Sequence, residues 1–171
     1  MSKILVVVDM QNDFIDGSLG SAEAVAIVPA VKEKIRKEAA QGTKIIFTRD
    51  THPVNYLETF EGKKLPVEHC IKGTPGWEIR EELVIEDAVV YDKPTFGITD
   101  WNQKLGALTE ADEIEVCGLC TDICVLSNAL ILRAYYPDIK ITVDSAACAG
   151  VSPETHNAAL ASMRCCQIDV I

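Results

Sequence analysis

The sequence predicts an α/β fold of three layers, α-β-α, built on a six-stranded, mostly parallel, doubly wound sheet. Three observations carry that expectation. Short β-branched runs alternate with segments of helical period, the pattern of a parallel sheet wrapped by helices. The opening run Lys3–Asp9 is almost continuously apolar, as expected of a strand covered on both faces. Finally, 171 residues with no Pro/Gly/Ser linker, repeat or low-complexity tract fit one domain, residues 1–171.

Each element follows in turn. Val25–Gln41 places Val28, Val31, Ile35 and Ala39 at helical spacing and stops at Gly42. Lys44–Arg49 reads as the second strand and Asp87–Asp92 as the third. Glu113–Cys117 and Ile139–Asp144 are the fourth and fifth, with a helix from about Asp122 to Tyr136 between them. A helix near Pro153–Met163 leads to a last strand, Gln167–Ile171. Between Asp50 and about Gly76 no period is evident, and two of the three histidines lie there. A long irregular connection inside a compact α/β domain is more often functional than accidental.

Composition removes several classes of function. Hydrophobic residues make up 48% and charged residues 25%, which excludes disordered and fibrous classes. The formal charge of −10 disfavours nucleic acid and anionic membrane as partners, since both need clustered Lys and Arg. The apolar run Ile4–Val8 is too short to span a bilayer and carries no cleavable signal before it, so the expected location is the cytoplasm. Seven cysteines in that setting are expected to be reduced, several of them acting as small buried hydrophobes.

Ligands in open parallel sheets bind beyond the carboxyl ends of the strands. The residues that close the strands are Asp9, Asp50, Lys93 and the stretch Gly118–Cys124. Val116-Cys117-Gly118-Leu119-Cys120-Thr121-Asp122-Ile123-Cys124-Val125 reads as strand, tight turn and helix start, with Thr121 or Asp122 as the cap. Cys124 in a first helical turn is a candidate nucleophile, because amide donors and the helix dipole there favour a thiolate and an adjacent oxyanion. It reads equally well as a buried structural cysteine. A metal or redox cluster of Cys117, Cys120 and Cys124 is disfavoured, since alternation along the strand turns Cys117 into the sheet packing and a fourth ligand is missing. Asp9 would serve as proton acceptor for a neighbouring thiol, or as a solvated loop-start aspartate. Lys93 alone is an ordinary lysine; next to both it would keep Asp9 ionised and favour the thiolate. Asp50, His52 and His69 form a second set, suited to Zn²⁺, Fe²⁺ or Mn²⁺ with open positions for water or substrate, and Glu58 and Glu61 stand between them as candidate fourth ligands. His156 reads as a solvent-facing residue of the last helix, and Trp77 and Trp101 as packing residues.

These stretches together resemble the isochorismatase-like cysteine hydrolases, and within them the nicotinamidase/pyrazinamidase branch. The resemblance covers the whole chain. It is carried by Ile4-Leu5-Val6-Val7-Val8-Asp9-Met10-Gln11-Asn12-Asp13-Phe14, Thr48-Arg49-Asp50-Thr51-His52, His69-Cys70-Ile71-Lys72-Gly73-Thr74-Pro75-Gly76, Lys93-Pro94 and Gly118–Val125. It implies a catalytic triad of Asp9, Lys93 and Cys124. It also implies a cis peptide at Leu119-Cys120 and an oxyanion hole from the backbone amides of Cys120 and Cys124. Phe14 becomes a wall of the substrate pocket. The implied metal ligands are Asp50, His52 and His69, with Glu61 as the fourth by spacing and Glu58 in reserve. A tryptophan that some relatives carry just before the third ligand has no counterpart in Leu65-Pro66-Val67-Glu68.

The function implied is hydrolysis of nicotinamide to nicotinate and ammonia through a cysteine thioester, a step of NAD salvage, with one divalent ion, Zn²⁺ first, and a homo-oligomeric assembly. Three other readings compete with it. A metal-independent amidohydrolase of carbamoyl or ureido compounds would keep the triad but not the Asp50/His52/His69 set. A vinyl-ether hydrolase would not need the thiol. A non-catalytic metal or redox module would rest on the cysteines alone.

Overall fold

The computed structural model describes residues 2–171. Its elements run β1 (Lys3–Val8), α1 (Asn12–Ile15), α2 (Ala22–Ala40), β2 (Lys44–Asp50), α3 (Phe60–Lys64), β3 (Val89–Lys93), α4 (Trp101–Leu105), β4 (Glu113–Leu119), α5 (Leu126–Tyr135), β5 (Lys140–Ala149), α6 (Pro153–Cys165) and β6 (Asp169–Val170). The six strands form one sheet in the order β3-β2-β1-β4-β5-β6, and every pairing is parallel. The expected α/β sheet is therefore present, without an antiparallel strand in it.

The opening apolar run forms the centre of this sheet. Leu5, Val6, Val7 and Val8 are completely buried, which requires cover on both faces. Burying each such side chain is worth roughly 1.5–3 kcal/mol. Helix α2 lies along β2, β1, β4 and β5, while α5 and α6 pack on each other and on β5. Ser21, which accepts the Ala24 N–H, starts α2 three residues before the expected Val25. The chain order places β1 between β2 and β4, so the direction of winding reverses at β1. That reversal opens the crevice at the carboxyl ends in which ligands of such sheets sit.

Two backbone features shape the crevice. Gly118 has φ +117°, and a Cβ there would lie 2.2 Å from the Val8 carbonyl oxygen. Only glycine allows β4 to press so closely on β1. Asp9 is held at φ +47°, turning the chain sharply as it leaves β1.

Element boundaries differ from the sequence expectation where the hydrophobic pattern is weakest. β5 runs to Ala149, well beyond Asp144, because Ala147, Cys148 and Ala149 are buried and pair on with β4 past a register shift between Val116 and Gly118. The helix expected from Asp122 divides into a wide turn, Thr121–Val125, followed by α5. The irregular segment after Asp50 contains a single helical turn, Tyr56–Glu58, and the short α3. Among the described residues no helix is long and apolar enough to cross a membrane.

Candidate active site

Four strand ends deliver the chemistry to one place. Asp9 follows β1, Asp50 closes β2, Lys93 closes β3, and Cys120 precedes and Cys124 lies within the turn after β4. β2 and β3 pair in a register that sets Asp50 directly beside Lys93, and Val8 lies beside Thr48. Parallel pairing thus fixes the lateral spacing of residues that are far apart in sequence.

Lys93 is buried at 2% exposure rather than being the ordinary surface lysine it resembles in isolation. Its Nζ lies 2.6 Å from Asp9 Oδ2, donates to Cys124 Sγ at 3.5 Å and donates to Asp50 Oδ1 at 3.5 Å. Burial opposes its charge, but Asp9, Cys124 and Asp50 surround it and hold its pKa above the ordinary lysine value. The other Asp9 oxygen accepts the Thr48 hydroxyl at 2.6 Å.

The two carboxylates that share Lys93 are driven apart. Burial, joined by the charge of Asp50, raises Asp9 despite the opposing pull of Lys93. Asp50 is also opposed by burial, but the hydrogen bond from His52 and the charge of Lys93 bring it below its ordinary value. One carboxyl is thereby suited to carry a proton and the other to stay ionised. The Cys124 thiol is pushed well above its usual range, first by burial and then by Asp9, with Lys93 acting against them. Burial therefore opposes the thiolate that the helix start alone was expected to favour.

The cap differs as well. Neither Thr121 nor Asp122 caps the turn; Cys120 occupies that position and makes no side-chain cap bond. The Thr121 hydroxyl instead bonds to His156, and Asp122 accepts the Val151 N–H. Leu119-Cys120 is a cis peptide. The Cys120 carbonyl accepts the Ile123 and Val125 amides, while the Cys120 N–H has no backbone acceptor among the described residues. Cys117 is fully buried in the sheet, away from this turn, as strand alternation requires.

The second set also converges. One donor atom from each of Asp50, His52 and His69 lies within 4.8 Å of the others, and all three residues are buried. His52 Nε2 is 2.8 Å from Asp50 Oδ2, and His69 Nε2 is 3.8 Å from the same oxygen. Glu61 Oε1 reaches to 3.8 Å from His52 Nε2 and 3.9 Å from His69 Nε2. Neighbouring ligands about 2.1 Å from one ion sit roughly 3.0–3.4 Å from one another, from octahedral to tetrahedral arrangement, so these spacings bracket what one ion needs. His69 Nδ1 is engaged with the Val67 carbonyl at 2.8 Å, which leaves Nε2 free to face the cluster. Glu58 is exposed and accepts from Asn55, which separates it from the cluster.

Cys124 from the first set and Asp50 and His69 from the second line one cavity of about 510 Å³, together with Cys120 and Glu61. Phe14 lines it too, its ring 5.5 Å from that of His69.

Several residues that hold this arrangement were not singled out from the sequence. Gln11 is fully buried; it accepts the Asp50 N–H and donates to the carbonyls of Asp50 and Trp77, bracing the loop after β2. Thr48 orients Asp9. Asn128, also fully buried, donates to the Cys124 carbonyl at 2.8 Å and accepts from Trp101 Nε1 and the Ile98 N–H. Each is a polar residue at a position the apolar pattern would fill, which is the one local signal they leave. His156 corrects the solvent-facing expectation: it is half-buried, with Nδ1 2.8 Å from Thr121 Oγ1. Trp101 is fully buried and Trp77 nearly so, as packing residues are expected to be.

Known proteins share both the fold and the sequence. The nicotinamidase/pyrazinamidase of Mycobacterium tuberculosis is 29% identical, over 99% of this chain and 98% of its own length. The structure of the pyrazinamidase of Pyrococcus horikoshii in complex with zinc superposes with a TM-score of 0.82 at 31% identity, covering 100% of this chain and 99% of that one. N-carbamoylsarcosine amidase of Thermoplasma acidophilum superposes with a TM-score of 0.78 at 26% identity, over 99% and 95% of the two chains. The isochorismatase domain model spans residues 3–171, and with that span, this sheet and these strand-end residues, the chain belongs to the isochorismatase family.

Proposed function

We propose that this protein is a cysteine-dependent amidohydrolase of small heteroaromatic carboxamides, with nicotinamide as the leading substrate and nicotinate and ammonia as products. The observation that carries the reading is the shared cavity: Cys124, backed by Asp9 and Lys93, lines the same space as Asp50 and His69 of the Asp50/His52/His69 set. The relatives that are nicotinamidases and pyrazinamidases support it.

In this reading Asp9 takes the Cys124 proton, and the thiolate attacks the carboxamide carbon. The oxyanion is received by the backbone amides of Cys120 and Cys124. Asp9 returns its proton to the nitrogen, the C–N bond breaks, and ammonia leaves a thioester on Cys124. Water then gives a proton to Asp9 and attacks the thioester; the C–S bond breaks, and Asp9 reprotonates the sulfur as the acid departs. Lys93 keeps the proton-carrying carboxylate and the sulfur in place throughout, and Phe14 packs on the ring. Asp50, His52, His69 and Glu61 have the donor types and spacing to hold a divalent ion, Zn²⁺ first. When bound, such an ion supplies an open coordination position that a pyridine nitrogen can fill.

A metal-independent carbamoyl amidase would have no use for that position, and this separates the two readings. Benzamide has the shape of nicotinamide but presents C–H where the ring nitrogen would be. A site built around a directed contact rejects an analogue lacking it by several kcal/mol. Metal-replete enzyme should therefore hydrolyse nicotinamide with a kcat/KM on the order of 10³-fold above that for benzamide. Chelation, or His52→Ala, should close most of the gap. Equal values for both amides in the replete enzyme would refute the assignment.

A further inference from the structure

We propose that His156 is a positioning residue of the reaction: through its hydrogen bond to Thr121 it holds the turn that carries the oxyanion amide and the nucleophile. The inference rests on Cys124 being the nucleophile, and it concerns a residue that touches neither the thiol nor the candidate metal ligands.

Different parts of the molecule hold the two sides of this turn. On the inner side the Cys120 carbonyl accepts from Ile123 and Val125, and Asn128 holds the Cys124 carbonyl. On the outer side the Thr121 carbonyl accepts the Leu126 N–H, but the Thr121 and Asp122 side chains find their partners outside the turn. Thr121 is completely buried, and a buried hydroxyl without a partner is costly. Its partner is His156 Nδ1 at 2.8 Å, in the first turns of α6, thirty-five residues further along the chain. Asp122 takes the Val151 N–H at 3.1 Å and 3.2 Å through its two carboxylate oxygens.

The anchor is itself rigid. Ser152 and Thr155 form a reciprocal capping box that fixes the start of α6 one turn before His156. Gly150 packs so tightly on this turn that a Cβ there would lie 2.8 Å from the His156 Cβ. Gly150 and Val151 also line the cavity. The first turn of α6, the cavity wall after β5 and the nucleophile turn after β4 therefore form one braced unit. Thr121 is the next residue after Cys120, so freeing its side chain loosens the amide that receives the oxyanion. Phe14 and the histidines, on other elements, are not disturbed. A misplacement of about 1 Å at reacting groups costs on the order of 10²-fold in rate. The loss should therefore fall on kcat and not on KM.

The test uses four single variants and one double. His156→Leu keeps bulk without the hydrogen bond, and His156→Asn places a hydrogen-bonding atom where Nδ1 stood. Thr121→Val removes the hydroxyl at constant shape, and Thr121→Ser keeps it. Each is measured for kcat and KM with nicotinamide, and for the rate of iodoacetamide alkylation at Cys124 by peptide mass mapping. His156→Leu and Thr121→Val should each lower kcat and Cys124 alkylation by about 10- to 100-fold, with KM within about twofold. The double variant Thr121→Val/His156→Leu should fall no further than the worse single, because both remove the same bond. His156→Asn and Thr121→Ser should recover most of the loss. Wild-type kcat and alkylation in His156→Leu would overturn the proposal, as would His156→Asn performing no better than His156→Leu. Should His156→Leu fail to fold, Thr121→Val against Thr121→Ser decides by the same criterion. An inactive wild type on every amide would refute the proposed function, whereas the alkylation series would still decide the role of His156.

Discussion

A buried thiol next to a buried aspartate and a buried lysine has its protonation set by competition. Burial and the Asp9 charge raise Cys124, and Lys93 opposes them from 3.5 Å. The sign of a Lys93 substitution follows. With the cation gone the thiolate loses the positive charge that lies 3.5 Å from the sulfur, so the thiol pKa rises further. In Lys93→Met the rising limb of Cys124 alkylation against pH should therefore move to higher pH, and an unchanged profile would remove Lys93 from the site. Cys124→Ala should abolish ammonia release, by ~10³-fold or more. Cys117→Ala and Cys165→Ala should keep most activity: Cys117 packs within the sheet and Cys165 is exposed at the end of α6. Wild-type turnover by Cys124→Ala would show that some other group performs the chemistry. The chemical types of Asp9, Lys93 and Cys124 and their places at strand ends were legible in the sequence. Their burial was not, and burial is the largest influence on the protonation of Asp9 and Cys124.

At the level of elements, the site depends on how strands end and helices begin. α6 is the clearest case, since the reciprocal bonds of Ser152 and Thr155 satisfy amides that its first turn would leave unpaired. Ser152→Ala should destabilise the fold by about 1 kcal/mol. For a domain of this size that corresponds to a drop of about 2–4 °C in Tm, readable by calorimetry. No change in Tm would mean that water replaces the cap without loss. The capping residues and the proline at the helix start are local signals, and the span expected from sequence, Pro153–Met163, lies close to the observed Pro153–Cys165. The segment after Asp50 is the opposite case. Its turns are held by contacts to distant parts of the chain, such as the Gln11 side chain bonding to Asp50 and Trp77 and the Asp13 carboxylate accepting the Cys70 N–H. No period along the segment records those bonds.

For the molecule as a whole, an ion that binds only the folded chain adds to its stability by mass action. Asp50 closes a strand, His52 follows it, and Glu61 and His69 return from the long connection, so no unfolded chain presents them together. At a free metal concentration 100 times Kd the gain is about 2.7 kcal/mol. Chelation should then lower Tm by about 5–10 °C. His52→Ala should show no further response to chelator, Glu61→Gln a reduced one, and Glu58→Gln the full wild-type response. A wild-type Tm indifferent to chelator would show that the cluster holds no ion of consequence for stability.

The sequence by itself determined the class of fold, because alternating β-branched and helical runs allow few solutions other than a parallel sheet between helices. It also determined the candidate chemistry, because Asp9, Asp50 and Lys93 stand where strands were expected to end and Cys124 where a helix was expected to begin. The tertiary structure alone decided the rest. Strand order and register set Asp50 beside Lys93 and opened the crevice at β1. Packing gave Thr48, Gln11, Asn128 and His156 partners up to sixty-six residues away in the chain, apart from the local Asn128–Cys124 bond. It also set burial against the thiolate expected from a helix start. Hydrophobic period and capping are written in neighbouring residues. Desolvation and long-range hydrogen bonds depend on what the completed fold brings against each group, and no local window of sequence contains that.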